Sequence, residues 1–160
     1  MVRCVHGPTV KKHFMTDRIM IAHRGNVDGP QPELENSPLY INKALAAGYN
    51  VEIDVWLVES RWMLGHDEPQ YEVDEAFVVR EGLWCHAKNI AALEELTSLG
   101  AHVFWHQEDD VTLTSRGFLW TYPGKDLTSK SICVMPEKAK YKTIECAGIC
   151  TDYIKRYETE

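Results

Sequence analysis

The sequence predicts an α/β protein: a compact TIM-type (β/α) barrel with mostly parallel strands, trimmed below the full eight units. Three observations predict it. Short apolar runs alternate with segments of helical spacing along most of the chain, as βαβ units and a parallel sheet require. The apolar runs give roughly seven strands, too many for a minimal three-layer sheet with full-length helices. The chain has 160 residues, whereas a full eight-unit barrel takes about 250. It has no internal repeat and no low-complexity stretch.

The first strand covers residues 19–22 and ends at His23-Arg24-Gly25. A loop rich in Gly and Pro runs through Pro32. Ser37-Pro38 then opens a helix, Ser as N-cap and Pro at the first helical position, and Gly48 stops it. Residues 51–57 make the second strand. A turn at Ser60-Arg61 returns the chain through 62–64 as a hairpin arm ending at Gly65-His66-Asp67. Residues 74–80 form a short helix closed by Gly82, and 83–87 the next strand. Asn89 caps a helix with Ile90, Leu93 and Leu96 on one stripe. Strands follow at 103–106, 118–122 and 132–135. Pro136 opens a helix to about Cys146, and 148–153 is the last strand. Residues 155–160 form a polar, frayed tail.

Composition narrows the function. With 44% hydrophobic and 26% charged residues, the chain is one globular domain spanning 1–160. The formal net charge of −7 argues against nucleic acid as partner, since phosphate-tracking proteins need a basic surface. No apolar run approaches the roughly 20 residues of a membrane helix, so no membrane insertion is expected. The polar segment 1–17 shows no signal peptide. Five cysteines, an odd count in a chain that is not a small disulfide scaffold, point to a reducing, cytoplasmic setting. Cys146 and Cys150 lack a second Cys/His pair and read as buried thiols rather than half a zinc site.

The chemistry gathers at strand ends, where parallel sheets place it. His23 offers a proton carrier, Arg24 a planar fork for phosphate oxygens and Gly25 a close backbone approach; a chance polar loop is the competing reading. Glu52 and Asp54 alternate with Val51, Ile53 and Val55, so both carboxylates share one face. Two carboxylates on a buried face repel, and a divalent cation removes the conflict. The alternative is a solvent-facing strand with two ordinary acids. On the next strand, His86 and Lys88 share a face and offer a metal ligand and an anion contact. A hydrogen-bonded core histidine and a solvated lysine are the plainer readings. His66 brings a second histidine to the same rim, and with His23 forms an acid/base pair suited to phosphoryl chemistry. His106 can touch substrate from the same rim, while Glu108, Asp109 and Asp110 read as a solvated loop. Trp56, Trp105 and Trp120 offer a pocket floor, with core aromatics the plainer reading.

Together, His23-Arg24-Gly25, Glu35-Asn36, Glu52-Ile53-Asp54, Gly65-His66-Asp67, Trp120-Thr121 and residues 148–153 resemble, in order, the motifs of the glycerophosphodiester phosphodiesterase family. That family lies within the phospholipase-C-like phosphodiesterase barrel superfamily. The resemblance implies that His23 and His66 are the acid/base pair and that Glu52 and Asp54 bind a divalent cation, Mg or Ca, with Mn a further candidate. It implies that Arg24 contacts phosphate and that Trp120 sits in the substrate pocket. The family ends its third strand in Glu-x-Lys. Here Lys88 keeps the Lys and His86 stands in the Glu position, a softer ligand carrying one negative charge fewer. Glu137 is a candidate substitute for the missing carboxylate.

The function expected is metal-dependent hydrolysis of a small phosphodiester, releasing glycerol 3-phosphate from a glycerophosphodiester. The alternative is a degenerate barrel that holds a phosphorylated ligand or a metal without turnover, favoured by His86 and the trimmed length. A lipase of the same superfamily would differ only in substrate, and no membrane-docking segment supports it. Oligomeric state, substrate alcohol and metal identity are not encoded in any motif.

Overall fold

Val51, Ile53 and Val55 alternate with Glu52 and Asp54, and all five are buried, so their strand has to be covered on both faces. The computed structural model describes residues 18–158 and shows how. Strands β1 (Ile19–His23), β2 (Asn50–Val58), β5 (Leu83–Ala87), β6 (Val103–Phe104), β8 (Leu119–Thr121), β9 (Ser131–Val134) and β10 (Gly148–Thr151) run parallel where they pair. β3 (Arg61–Leu64), β4 (Tyr71–Val73) and β7 (Val111–Leu113) are antiparallel additions. The order is β4-β3-β2-β1-β10-β9-β8-β7, with β5 on β2 and β6 on β5. The first strand thus lies beside the last, and the sheet curls.

The curl separates two cores. Ile21, Trp84, Phe104, Trp120, Ile132, Val134 and Cys150, from six different parallel strands, meet in one inner cluster. The opposite face of the strands, with Val51, Ile53, Cys85, Val103 and Ile149, packs against Ile41 and Ala44 of α1 (Pro38–Ala46) and Ala92 and Leu96 of α3 (Ile90–Ser98). Both helices carry the caps read from sequence: Ser37 and Asn89 accept hydrogen bonds from the third residue onward, Tyr40 N and Ala92 N. Gly148 lets β10 approach β1. A Cβ there would lie 2.6 Å from the Ile19 carbonyl oxygen.

Several expectations need correction. The expected helix over 136–146 is a single 3-10 turn, Pro136–Lys138. Tyr141, Ile144 and Cys146 pack against the helix-covered core from irregular backbone, so the Pro start does not propagate. The helix of 74–80 shrinks to α2 (Glu75–Val78). The frayed tail does not begin at 155: Ile154–Tyr157 forms a 3-10 turn with Ile154 buried, and the Tyr49 hydroxyl bonds Glu158. β4 and β7 were not expected. The described residues contain three α-helices, so regular helix-for-strand alternation is limited to the β1–β6 half. The polar segment at residues 1–17, including Cys4, lies outside the described residues. No helix among the described residues is long and apolar enough to cross a membrane.

Candidate metal and phosphate site

The parallel strands end at one rim, and a cleft of about 530 Å³ opens there. His23, Arg24, Glu52, His66, His86 and Lys88 face it on one side. Trp105, His106, Trp120, Tyr122 and Met135 form the other wall. Seven of the eight site residues expected from sequence therefore line one cavity. The eighth, Asp54, lies directly beneath.

At its centre, period-two alternation points Glu52 and Asp54 inward. One donor atom each from Glu52, Asp54 and His86 lies within 4.8 Å of the others. His86 Nδ1 stands 3.2 Å from Asp54 Oδ1 and 3.9 Å from Glu52 Oε1. Glu52 Oε2 and Asp54 Oδ1 are buried and accept no well-formed hydrogen bond. Buried carboxylate oxygens without donors are costly, and a cation among them would relieve the cost. The donor set, two carboxylates and one imidazole, fits a divalent cation. Burial together with the neighbouring Asp54 charge pushes the Glu52 carboxyl above its ordinary range. Asp54 behaves oppositely: burial alone would raise it, but His86, Arg24 and Lys88 hold it well below the carboxylate range.

Asp54 is also clamped structurally. Its backbone N donates to Asn36 Oδ1 at 2.9 Å, and Asn36 Nδ2 returns a 2.9 Å bond to Asp54 Oδ2. Arg24 Nε pairs with the same oxygen at 3.1 Å, and Lys88 Nζ lies 3.5 Å from Oδ1. Arg24 and Asn36 both adopt the left-handed backbone region, φ 53° and 61°. Asn36 N donates to the Arg24 carbonyl, which locks the two bends together. Gly25 is needed for packing. A Cβ there would meet the Tyr40 ring at 2.7 Å.

His23 Nδ1 lies 2.7 Å from Asp152 Oδ1 and its Nε2 3.8 Å from Glu52 Oε2. Burial lowers its pKa, but the Asp152 bond and the Glu52 charge outweigh that and leave it raised. Asp152 is lowered in turn: burial opposes, and His23, Asn26 and Lys138 prevail. Asn26 Nδ2 bridges Asp152 and Glu35, each at 2.8 Å. His66 is more open, its side chain 41% exposed and its Nδ1 2.7 Å from Asp67 Oδ1.

The structure also shows where expectations diverge. Arg24 Nη1 donates to Glu35 at 3.1 Å, so with Asp54 it is engaged by two carboxylates while it lines the cleft. Glu137 accepts from Thr151 Oγ1 at 2.8 Å and stays out of the Glu52 cluster. Trp120 is 2% exposed and stacks on Phe104, mostly core with one edge in the cleft. Trp56 donates to the Gly65 carbonyl. Sequence reasoning missed Asp152, Asn26 and the clamping role of Asn36. Asp152 had a usable signal: it follows the last strand, at the rim where the other site residues stand. Cys85, Cys133, Cys146 and Cys150 are free, and Cys146 donates to the Gly148 carbonyl.

No family model, no curated protein and no solved structure matches this chain.

Proposed function

We propose that the protein is a metal-dependent phosphodiester hydrolase of the glycerophosphodiester phosphodiesterase type, built on a trimmed TIM-type barrel and working in a reducing, cytoplasmic setting. The observation that carries the reading is the buried Glu52–Asp54–His86 group with its undonated oxygens, opening onto a cleft that also holds three further histidines and Lys88. A bound divalent cation would polarise a phosphoryl oxygen and lower the pKa of a nearby hydroxyl.

The protein's own residues supply the rest. Asp152 accepts from His23 Nδ1, which leaves Nε2 facing the cleft as the base for the attacking hydroxyl. His66, which lines the same cleft, protonates the leaving alcohol. Lys88 holds a phosphate oxygen, and Arg24 orients Asp54. Trp120 and Tyr122 exclude water from the far wall. Water consumed and alcohol released balance the step, leaving glycerol 3-phosphate as product.

One observation favours the second reading, a phosphate- or metal-binding protein without turnover: Arg24 is already neutralised by Asp54 and Glu35. The test is to incubate the full chain with glycerophosphocholine or glycerophosphoglycerol and Mg(II), Ca(II) or Mn(II), and to measure glycerol 3-phosphate. Release that disappears in H23A supports the hydrolase. Cation binding with no release in any metal supports the binding protein.

A further inference from the structure

We infer that the Glu52–Asp54–His86 site is built for a transition-metal dication, Mn(II) or Zn(II), in preference to Ca(II). The inference rests on the metal-dependent reading above and names the class of ion it takes.

The first support is the orientation of His86. Its Nε2 lies 3.1 Å from the His106 carbonyl oxygen, and a carbonyl can only accept, so the Nε2 carries the hydrogen. The Phe104 ring stacks on the imidazole at 5.1 Å with an 8° tilt, fixing the ring plane. The opposite nitrogen, Nδ1, is thereby aimed at Asp54 Oδ1 and Glu52 Oε1. A ring nitrogen ligand whose other N–H is tied to a backbone carbonyl is the usual outer-shell arrangement of a metal-bound histidine. An unprotonated Nδ1 would face carboxylate lone pairs 3.2 Å away, a repulsion that either a proton or a metal ion at that nitrogen relieves.

The second support is charge. A hard cation such as Ca(II) is held by many oxygen ligands, six to eight, and by their negative charge. Here Asp54 is already contacted by two basic groups, Arg24 Nε at 3.1 Å and Lys88 Nζ at 3.5 Å, which offset its pull on a cation. The electrostatic share of binding is accordingly small. Imidazole coordination to a transition metal adds a bonding share that Ca(II) does not receive. The third support is the number of donors: among the described residues, Glu52, Asp54 and His86 form the one group that can ligate, and Glu137 is held on Thr151.

The experiment titrates the full chain with Mn(II), Zn(II) and Ca(II) by calorimetry at one fixed pH. It then records pulsed electron paramagnetic resonance of the Mn(II)-loaded protein. Mn(II) and Zn(II) are expected to bind at least about tenfold more tightly than Ca(II). The spectrum is expected to show nitrogen hyperfine modulation from one imidazole. H86E is expected to lose that modulation and to move the preference toward Ca(II). Ca(II) binding as tight as Mn(II), an absence of nitrogen modulation, or modulation that persists in H86E overturns the inference and leaves the hydrolase reading standing. No binding of any dication overturns both. If H86E does not fold, the wild-type titration and spectrum decide alone.

Discussion

His23 Nδ1 and Asp152 Oδ1 meet at 2.7 Å across a sequence separation of 129 residues. The bond ties two strand ends at the cleft rim, because His23 ends β1 and Asp152 follows β10, its immediate neighbour in the sheet. It also sets which nitrogen of His23 points into the cleft.

Asp152→Asn is therefore expected to lower kcat by about 10²–10⁴-fold, the range a misplaced general base costs, with KM little changed. The amide can present its NH2 to Nδ1 and turn the wrong tautomer toward substrate. Steady-state kinetics with a glycerophosphodiester checks it. A loss confined to KM would assign Asp152 to substrate binding instead.

Asp54→Asn should destabilise the fold as well as empty the site. Arg24 is largely buried and would lose the charge facing its Nε at 3.1 Å. Breaking a buried pair from one side costs about 3 kcal/mol, somewhat less here because Arg24 keeps Glu35. Urea unfolding measures this, and Glu52→Gln is the control, since it removes no hydrogen-bonded partner of Arg24.

His102 predicts an acid sensitivity at the opposite end of the strands. Its ring is buried against Trp84 at 3.9 Å, near Phe118, and its Nε2 meets Thr114 Oγ1 at 2.9 Å. Burial, with help from the Arg116 charge, which itself pairs with Glu81, lowers its pKa to about 4. The folded value lies below the unfolded one. The contribution is thus complete above about pH 6.5 and is lost as pH falls toward 4. The loss is on the order of 2–3 kcal/mol. Unfolding free energies at pH 7.5 and 4.5 should differ by less in His102→Gln than in the wild type.

Asn89→Ala should cost about 2 kcal/mol. Its side chain caps α3 through Ala92 N and also takes the N–H and C=O of Leu57 at 3.2 and 2.9 Å. Thermal unfolding checks the loss. Asn89→Asp should recover the capping part while leaving the Leu57 carbonyl without a donor.

The features legible in the sequence were those with a period or a fixed place. Glu52 and Asp54 alternate with valines and isoleucine, so their shared inward face follows from strand geometry alone. Ser37 and Asn89 announce their helices by hydrogen-bonding chemistry that acts within three residues. The mostly parallel sheet followed from the alternation of elements. What stayed hidden depends on long-range contact. The Asp152 partner of His23 and the His106 carbonyl that orients His86 join distant segments through single atoms. Residues 136–146 carried a Pro start typical of a helix, but tertiary packing gave them a single turn and seats Tyr141 and Ile144 from irregular backbone. β7 pairs with β8 despite only three residues, two of them exposed, which leaves little pattern to read.

The curled sheet does not close into a ring, and its open seam lies between β6 and the β7–β8 edge. β6 pairs with β5 alone. The step from β6 toward β8 is spanned by Ser115, whose N and Oγ bond Val103, and by Thr112 Oγ1 on the Trp105 carbonyl. Side-chain hydroxyls there do the work that a continuous ladder does elsewhere, so breathing of the sheet costs least at this junction. His106 and Tyr122 stack at 3.8 Å from its two banks. Any loosening of the seam is thus a change in the width of the cleft, and amide exchange at Val103 and Ser115 would track how readily the cleft admits a bulky alcohol.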